Sequence, residues 1–135
     1  LQQRQEIPAV QPSDIATMFK RVLVLEDNFI IAMEAEDILK SLGVGEVEIA
    51  TNIDQAEALL SQEVFDFVLL DINLGSQTSF HLAEKLLGNG VPFGFVSGYG
   101  ENSIFPPTLR SLPRITKPFN EESVGSLLAA MFQIP

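Results

Sequence analysis

The sequence predicts an α/β domain, a doubly wound five-stranded parallel sheet with helices on both faces, and three observations carry this expectation. Short apolar runs alternate with segments of helical period from residue 20 onward. The run Phe67-Val68-Leu69-Leu70 is continuously apolar, as in a strand covered on both faces, rather than alternating. Several runs also stop at a polar or charged residue, at Glu26-Asp27, Asp71, Ser97 and Lys117. Open α/β sheets bind ligands just beyond the carboxyl ends of their strands, so these stops are where chemistry is expected.

Residues 1–19 are polar, glutamine-rich and interrupted by Pro8 and Pro12, which reads as a linker or disordered lead-in to a domain at residues 20–135. The sequence does not begin with methionine. It is expected to be either cut from a larger chain or a stand-alone domain starting as late as Met18. Residues 21–25 form the first strand. Asn28 caps a helix in which Ile31, Ala35, Ile38 and Leu42 recur at helical spacing, and Gly43 closes it. A second strand at 47–50 precedes a helix at 53–61 that turns Ala56, Leu59 and Leu60 to one side. The third strand, 67–70, is followed by a helix at 79–87 closed by Gly88 and Gly90, and then by the fourth strand at 92–96.

Beyond Ser97 the pattern weakens. Gly98, Gly100, Pro106, Pro107 and Pro113 leave room for little more than one helical turn around residues 108–111. This stretch is expected to be mobile. A short fifth strand at 114–116 runs into Lys117-Pro118-Phe119. Asn120 then caps a last helix whose stripe is Val124, Leu127, Leu128 and Met131, with Glu121 and Glu122 favouring its N-terminal dipole. The flavodoxin-like strand order 2-1-3-4-5 is the most economical topology for this count.

Composition excludes several classes. With 135 residues, 46% of them hydrophobic, and no cysteine, the chain fits one globular domain with no disulfide framework. No run approaches the roughly 20 apolar residues of a membrane span and no secretory signal is recognisable, so a cytoplasmic location is the default expectation. A net charge of -10 argues against nonspecific nucleic-acid binding and suits a hard cation, although solubility alone also explains it.

In the expected order the first and third strands are neighbours, which brings Glu26 and Asp27 within reach of Asp71. Two such charges ~5 Å apart repel by about 3 kcal/mol at an effective dielectric of 20, so the cluster calls for a cation or a proton. Oxygen ligands with open positions suit Mg²⁺. Ser97 and Lys117 end strands on the same edge, one to donate a hydrogen bond and the other to neutralise charge on a phosphoryl group, with Asp71 as nucleophile. The plain alternative for Asp71 alone is a turn former or helix cap. His81, the only histidine, completes no metal set and is expected to face solvent.

Together these residues resemble the receiver domain of bacterial two-component response regulators, over residues 21–132. The resemblance implies that Asp71 is the phosphoacceptor and that Glu26, Asp27, Asp71 and the main-chain carbonyl of Asn73 hold Mg²⁺. It further implies that Ser97 is a switch hydroxyl, that Lys117 pairs with the phosphate, and that the Lys117-Pro118 bond is cis. Three departures stand out: Glu26 in place of the usual Asp, reaching the metal through water; Ser97 in place of Thr; and Arg114 where many receivers carry an inward-turning Tyr or Phe. Tyr99 is a candidate substitute for that aromatic, against the plainer reading of a surface loop residue. Residues 93–100 are similar to a subgroup with a Phe-Ala-Thr-Gly-Tyr-type fourth-strand motif.

The implied function is phosphorelay signalling, with a histidine kinase or phosphotransfer protein as donor. Output would run through protein contacts, a homodimer or other domains of a parent chain, by way of residues 98–120. Phe105 and Phe119 are expected there as partner anchors. Enzymatic activity beyond self-phosphorylation and slow self-dephosphorylation is not expected. Two other readings remain at this point, a Mg²⁺-dependent phosphatase of the haloacid-dehalogenase kind and an interaction module that no longer takes phosphate.

Overall fold

The computed structural model describes residues 12–98 and 105–132. In chain order the elements are α1 (Pro12–Met18), β1 (Arg21–Leu25), α2 (Phe29–Ser41), β2 (Glu46–Ala50), α3 (Ile53–Gln62), β3 (Phe67–Asp71), β4 (Asn73–Leu74), β5 (Gln77–Thr78), α4 (Phe80–Gly88) and β6 (Phe93–Ser97). A single 3-10 turn (Pro107–Leu109), β7 (Arg114–Thr116) and α5 (Glu121–Phe132) complete it. Five strands pair in the order β2-β1-β3-β6-β7, every pairing parallel, which is the 2-1-3-4-5 order expected of the sheet. No helix among the described residues is long and apolar enough to cross a membrane.

The sheet is covered on both faces, and strand alternation decides which side chain goes where. Leu23, Leu25, Val68, Leu70 and Phe95 point to one side, where Ala56 of α3 and Leu82, Ala83 and Leu86 of α4 close over them. Val22, Val24, Phe67, Leu69 and Val96 point to the other, under Ala32, Ala35 and Leu39 of α2 and Val124, Leu127 and Leu128 of α5. β3 lies in the middle and is buried at all five residues. Gly94 lets α5 approach β6 closely, because a Cβ there would lie 2.9 Å from a Leu127 methyl.

The N-caps expected at Asn28 and Asn120 form, and Asn52 supplies a further one. Asn28 Oδ1 accepts from the amides of Ile30 and Ile31, and Asn52 Oδ1 from that of Gln55. Asn120 and Ser123 cap reciprocally, each side-chain oxygen accepting from the other residue's amide. Gly43 leaves α2 at φ 116, a conformation that favours glycine.

Three expectations need correction. Residues 12–18 are helical rather than linker, and Ile15 and Phe19 are buried in the α2/α5 core, with the Phe19 and Phe67 rings edge to face at 5.8 Å. The few apolar residues of this short segment, Ile15, Ala16, Met18 and Phe19, left no sustained period to read. Residues 1–11 lie outside the described residues. The β4–β5 hairpin was not anticipated, since two-residue strands are too short to show alternation. Phe105 is not an exposed anchor: it is buried, its ring packed against Phe80 and Phe95. Phe119, half-buried, packs against the α2/α5 core.

Ile15→Ala should therefore destabilise the domain by about 2–4 kcal/mol in urea denaturation, as for other buried large-to-small changes. A residue in a solvated linker would shift stability by less than about 0.5 kcal/mol.

Candidate functional site

Parallel strands in register bring their carboxyl ends to one edge, and the polar residues that stop the apolar runs collect there. Leu25 pairs with Leu70, Asp71 with Val96 and Ser97 with Thr116, so the residues following β1 and β7 arrive beside Asp71. Carboxylate oxygens of Glu26, Asp27 and Asp71 lie within 4.8 Å of one another. Lys117 Nζ is 2.8 Å from Glu26 Oε1 and 3.4 Å from Asp71 Oδ2. Glu26 Oε2 accepts from the Asn28 amide at 3.1 Å, so both oxygens of this residue are engaged within the protein. Asp27 is exposed, whereas Glu26 and Asp71 are buried.

These groups line an open cleft of about 370 Å³ that also includes Asn28, Ile31, Asn73 and Gly98. Asn73, two residues beyond Asp71, opens the β4–β5 hairpin and so lies at the cleft wall. Ser97 is half-buried at the end of β6, its carbonyl accepting from the Lys117 amide at 2.8 Å. The Lys117-Pro118 bond is cis. His81 is exposed on α4, as the sequence implied. Tyr99 lies outside the described residues, as does the middle of the 98–113 stretch.

Electrostatics sets the chemistry of the cleft. Burial pushes the Asp71 carboxyl up to about 7, the negative charge of Glu26 adds to the rise, and Lys117 opposes it. For Lys117, burial works against the charged form, but the hydrogen bond to Glu26 and the charges of Asp71 and Glu26 outweigh it and raise its pKa. Three carboxylates face one ammonium, so the ionised cluster carries excess negative charge. A hard divalent cation with oxygen preference fits this donor set, and Asp27 is the member most open to it.

Two features of the site were not read from the sequence. The Asn28 amide, exposed at the start of α2, holds Glu26 in place; an Asn directly after an acidic pair is the signal that could have pointed to it. Beside the cleft, Phe29, Ile30 and Met33 of α2 are exposed at 55%, 75% and 46%. Their positions at i, i+1 and i+4 form a band separate from the buried face of the helix.

Residues 22–128 match the family described as the response regulator receiver domain. Among curated proteins, the sensory transduction protein LytT of Bacillus subtilis (strain 168) is 29% identical over 112 residues, covering 80% of this chain and 46% of LytT. The chain spans about half the length of the curated relatives it matches. Among solved structures, SdrG from Sphingomonas melonis Fr1 superposes with a TM-score of 0.75 at 32% identity, over 85% of this chain and 98% of that one. The REC domain of the PhyR response regulator from Erythrobacter litoralis gives 0.70 at 29% identity, over 89% and 97%.

The raised Asp71 pKa has a consequence for stability. Between the ordinary 3.8 and about 7 the folded state binds the proton more tightly than the unfolded state, so stability falls as pH rises through that window. Without divalent cations, Asp71→Asn is expected to be more stable than wild type at pH 8, by on the order of 2–4 kcal/mol. The difference should shrink toward pH 4, as followed by thermal or urea denaturation across pH.

Proposed function

Because this chain belongs to the response regulator receiver domain family and is a receiver domain of two-component signalling, we propose that Asp71 is its phosphoacceptor. The observation that carries this reading is the convergence of Asp71, Glu26, Asp27 and Lys117 in one cleft at the carboxyl edge of the sheet. An Asp71 carboxylate oxygen attacks the phosphorus of a phosphohistidine. The O–P bond forms as the P–N bond breaks, and the imidazole nitrogen leaves with its electron pair and takes a proton. The result is an aspartyl phosphate and a free histidine on a histidine kinase or phosphotransfer protein.

Asp27, Asp71 and the main-chain carbonyl of Asn73 would hold Mg²⁺, with Glu26 adding charge through water. When bound, the ion neutralises carboxylate and phosphoryl oxygens and so favours the ionised form of Asp71. Lys117 exchanges part of its pairing with Glu26 and Asp71 for the incoming phosphoryl oxygens. Ser97 turns its hydroxyl toward the same group. The phosphate adds about -1.5 to -2 charge, which biases the region beyond Ser97.

A protein donor has to seat its histidine over the cleft, and the exposed Phe29, Ile30 and Met33 supply an apolar rim for it to cover. The protein acts in the cytoplasm, and output runs through residues 98–120 to a second copy or another domain rather than to nucleic acid. The charge of -10 supports that last exclusion. A phosphatase of the haloacid-dehalogenase kind places its nucleophile after the first strand, whereas Asp71 ends the central β3; steady turnover of phosphoesters is not expected.

Intact mass after incubation with acetyl phosphate and Mg²⁺ should show one labile phosphate on wild type and none on Asp71→Asn or in the presence of a chelator. Asp27→Asn should raise the Mg²⁺ needed for half-maximal uptake by about ten-fold or more. Ile30→Asp should slow transfer from a phosphorylated protein donor about ten-fold, the cost of one central anchor, with a much smaller effect on uptake from acetyl phosphate.

A further inference from the structure

The helices α2, α3 and α5 begin in the same way, and α4 is the exception. The side-chain oxygens of Asn28, Asn52 and Asn120 each accept from the amide three residues on, at Ile31, Gln55 and Ser123. Asn28 and Asn52 hold the extended backbone that this bond needs, at ψ 110 and ψ 169. Ser79 stands at the same place before α4, but its ψ is 7 and its side chain makes no cap bond. Its hydroxyl is fully buried, and among the described residues it is the one buried side-chain polar atom without a hydrogen-bond partner. An unpaired buried hydroxyl beside an uncapped helix end costs stability twice, and one rearrangement would satisfy both.

Ser79 is joined to the cleft through the main chain. Its amide donates to the Ile72 carbonyl at 2.9 Å, and Ile72 lies between Asp71 and Asn73. Asn73 in turn pairs with Thr78 across the β4–β5 hairpin. Of the hairpin residues only Leu74 is buried, so the hairpin can shift without opening the core.

We propose that Ser79 is a positioning residue for the cleft: it sets the hairpin in an uncapped resting form that changes to a capped form when Asp71 and Asn73 take up Mg²⁺ and a phosphoryl group. In the capped form Ser79 is extended and its Oγ accepts from the Leu82 amide, three residues on, as the asparagines do at their own helices. This inference rests on the phosphoacceptor reading and extends it to what tunes the occupancy of the same site. Part of the binding is drawn from satisfying the Ser79 hydroxyl. Such coupling is reciprocal, so removing the hydroxyl has to strengthen the resting fold and weaken binding together.

In the full chain without Mg²⁺, Ser79→Ala should unfold at a higher urea concentration than wild type, because the unpaired hydroxyl is gone. It should bind beryllofluoride, a phosphoryl mimic, with Mg²⁺ about five-fold more weakly, the worth of one N-cap. A lower urea midpoint would mean that the hydroxyl is already satisfied at rest, and overturns the inference. Amide hydrogen exchange supplies a second readout. Beryllofluoride with Mg²⁺ should slow exchange at Leu82 about five-fold relative to Ile31, whose cap is already made, in wild type but not in Ser79→Ala. Beryllofluoride binding to wild type with no such slowing, or with equal affinity in Ser79→Ala, overturns this inference and leaves the phosphoacceptor reading standing. Absence of beryllofluoride binding and of phosphate uptake from acetyl phosphate on wild type overturns both.

Discussion

Repulsion among three carboxylates held within 4.8 Å is the constraint around which this domain is arranged. Burial of Asp71 on the central strand, with the negative charge of Glu26 added, drives this carboxyl toward its protonated form. Lys117 relieves part of the repulsion by reaching Glu26 and Asp71 together, and the Asn28 amide relieves more at the other Glu26 oxygen. What remains is a site with three carboxylates against one ammonium, a donor set that fits a hard cation. Stability is given up at the strand edge, as often happens where charge is concentrated at a functional site.

The scaffold that tolerates this is a sheet closed on both faces. Alternation along β1, β3 and β6 sends Leu23, Leu25, Leu70 and Phe95 one way and Val22, Val24, Leu69 and Val96 the other, so each face acquires its own helical layer. α1 belongs to the second layer, where Ile15 and Phe19 extend the α2/α5 core past the start of β1. Burial of two side chains recruits a segment whose composition is otherwise that of a lead-in. α1 thus joins the folded core through packing, ahead of the onset of strand and helix periodicity.

Arg114 shows how one substitution changes the meaning of its neighbours. The strand presents a cation at Arg114, which lies over the ring of Phe105. Phe80, Phe93, Phe95 and Phe105 then form a continuous edge-to-face and tilted cluster under the end of β6.

The sheet, its strand order and the residues that meet at its carboxyl edge were legible in local signals: apolar runs of strand length, polar stops, and Asn or Gly at helix ends. Asp71, Glu26, Asp27 and Lys117 could be grouped before any coordinates, since parallel pairing makes the carboxyl ends of neighbouring strands coincide. How those groups share their hydrogen bonds depends on the packed chain, which sets Lys117 closer to Glu26 than to Asp71. It also decided that residues 12–18 are helical, that Phe105 is buried, and that Arg114 lies on its ring. Each of these depends on contacts between residues distant in sequence, Ile15 with the α5 layer and Phe105 with Phe80, whose burial energy overrides a local pattern too short or too polar to carry a period.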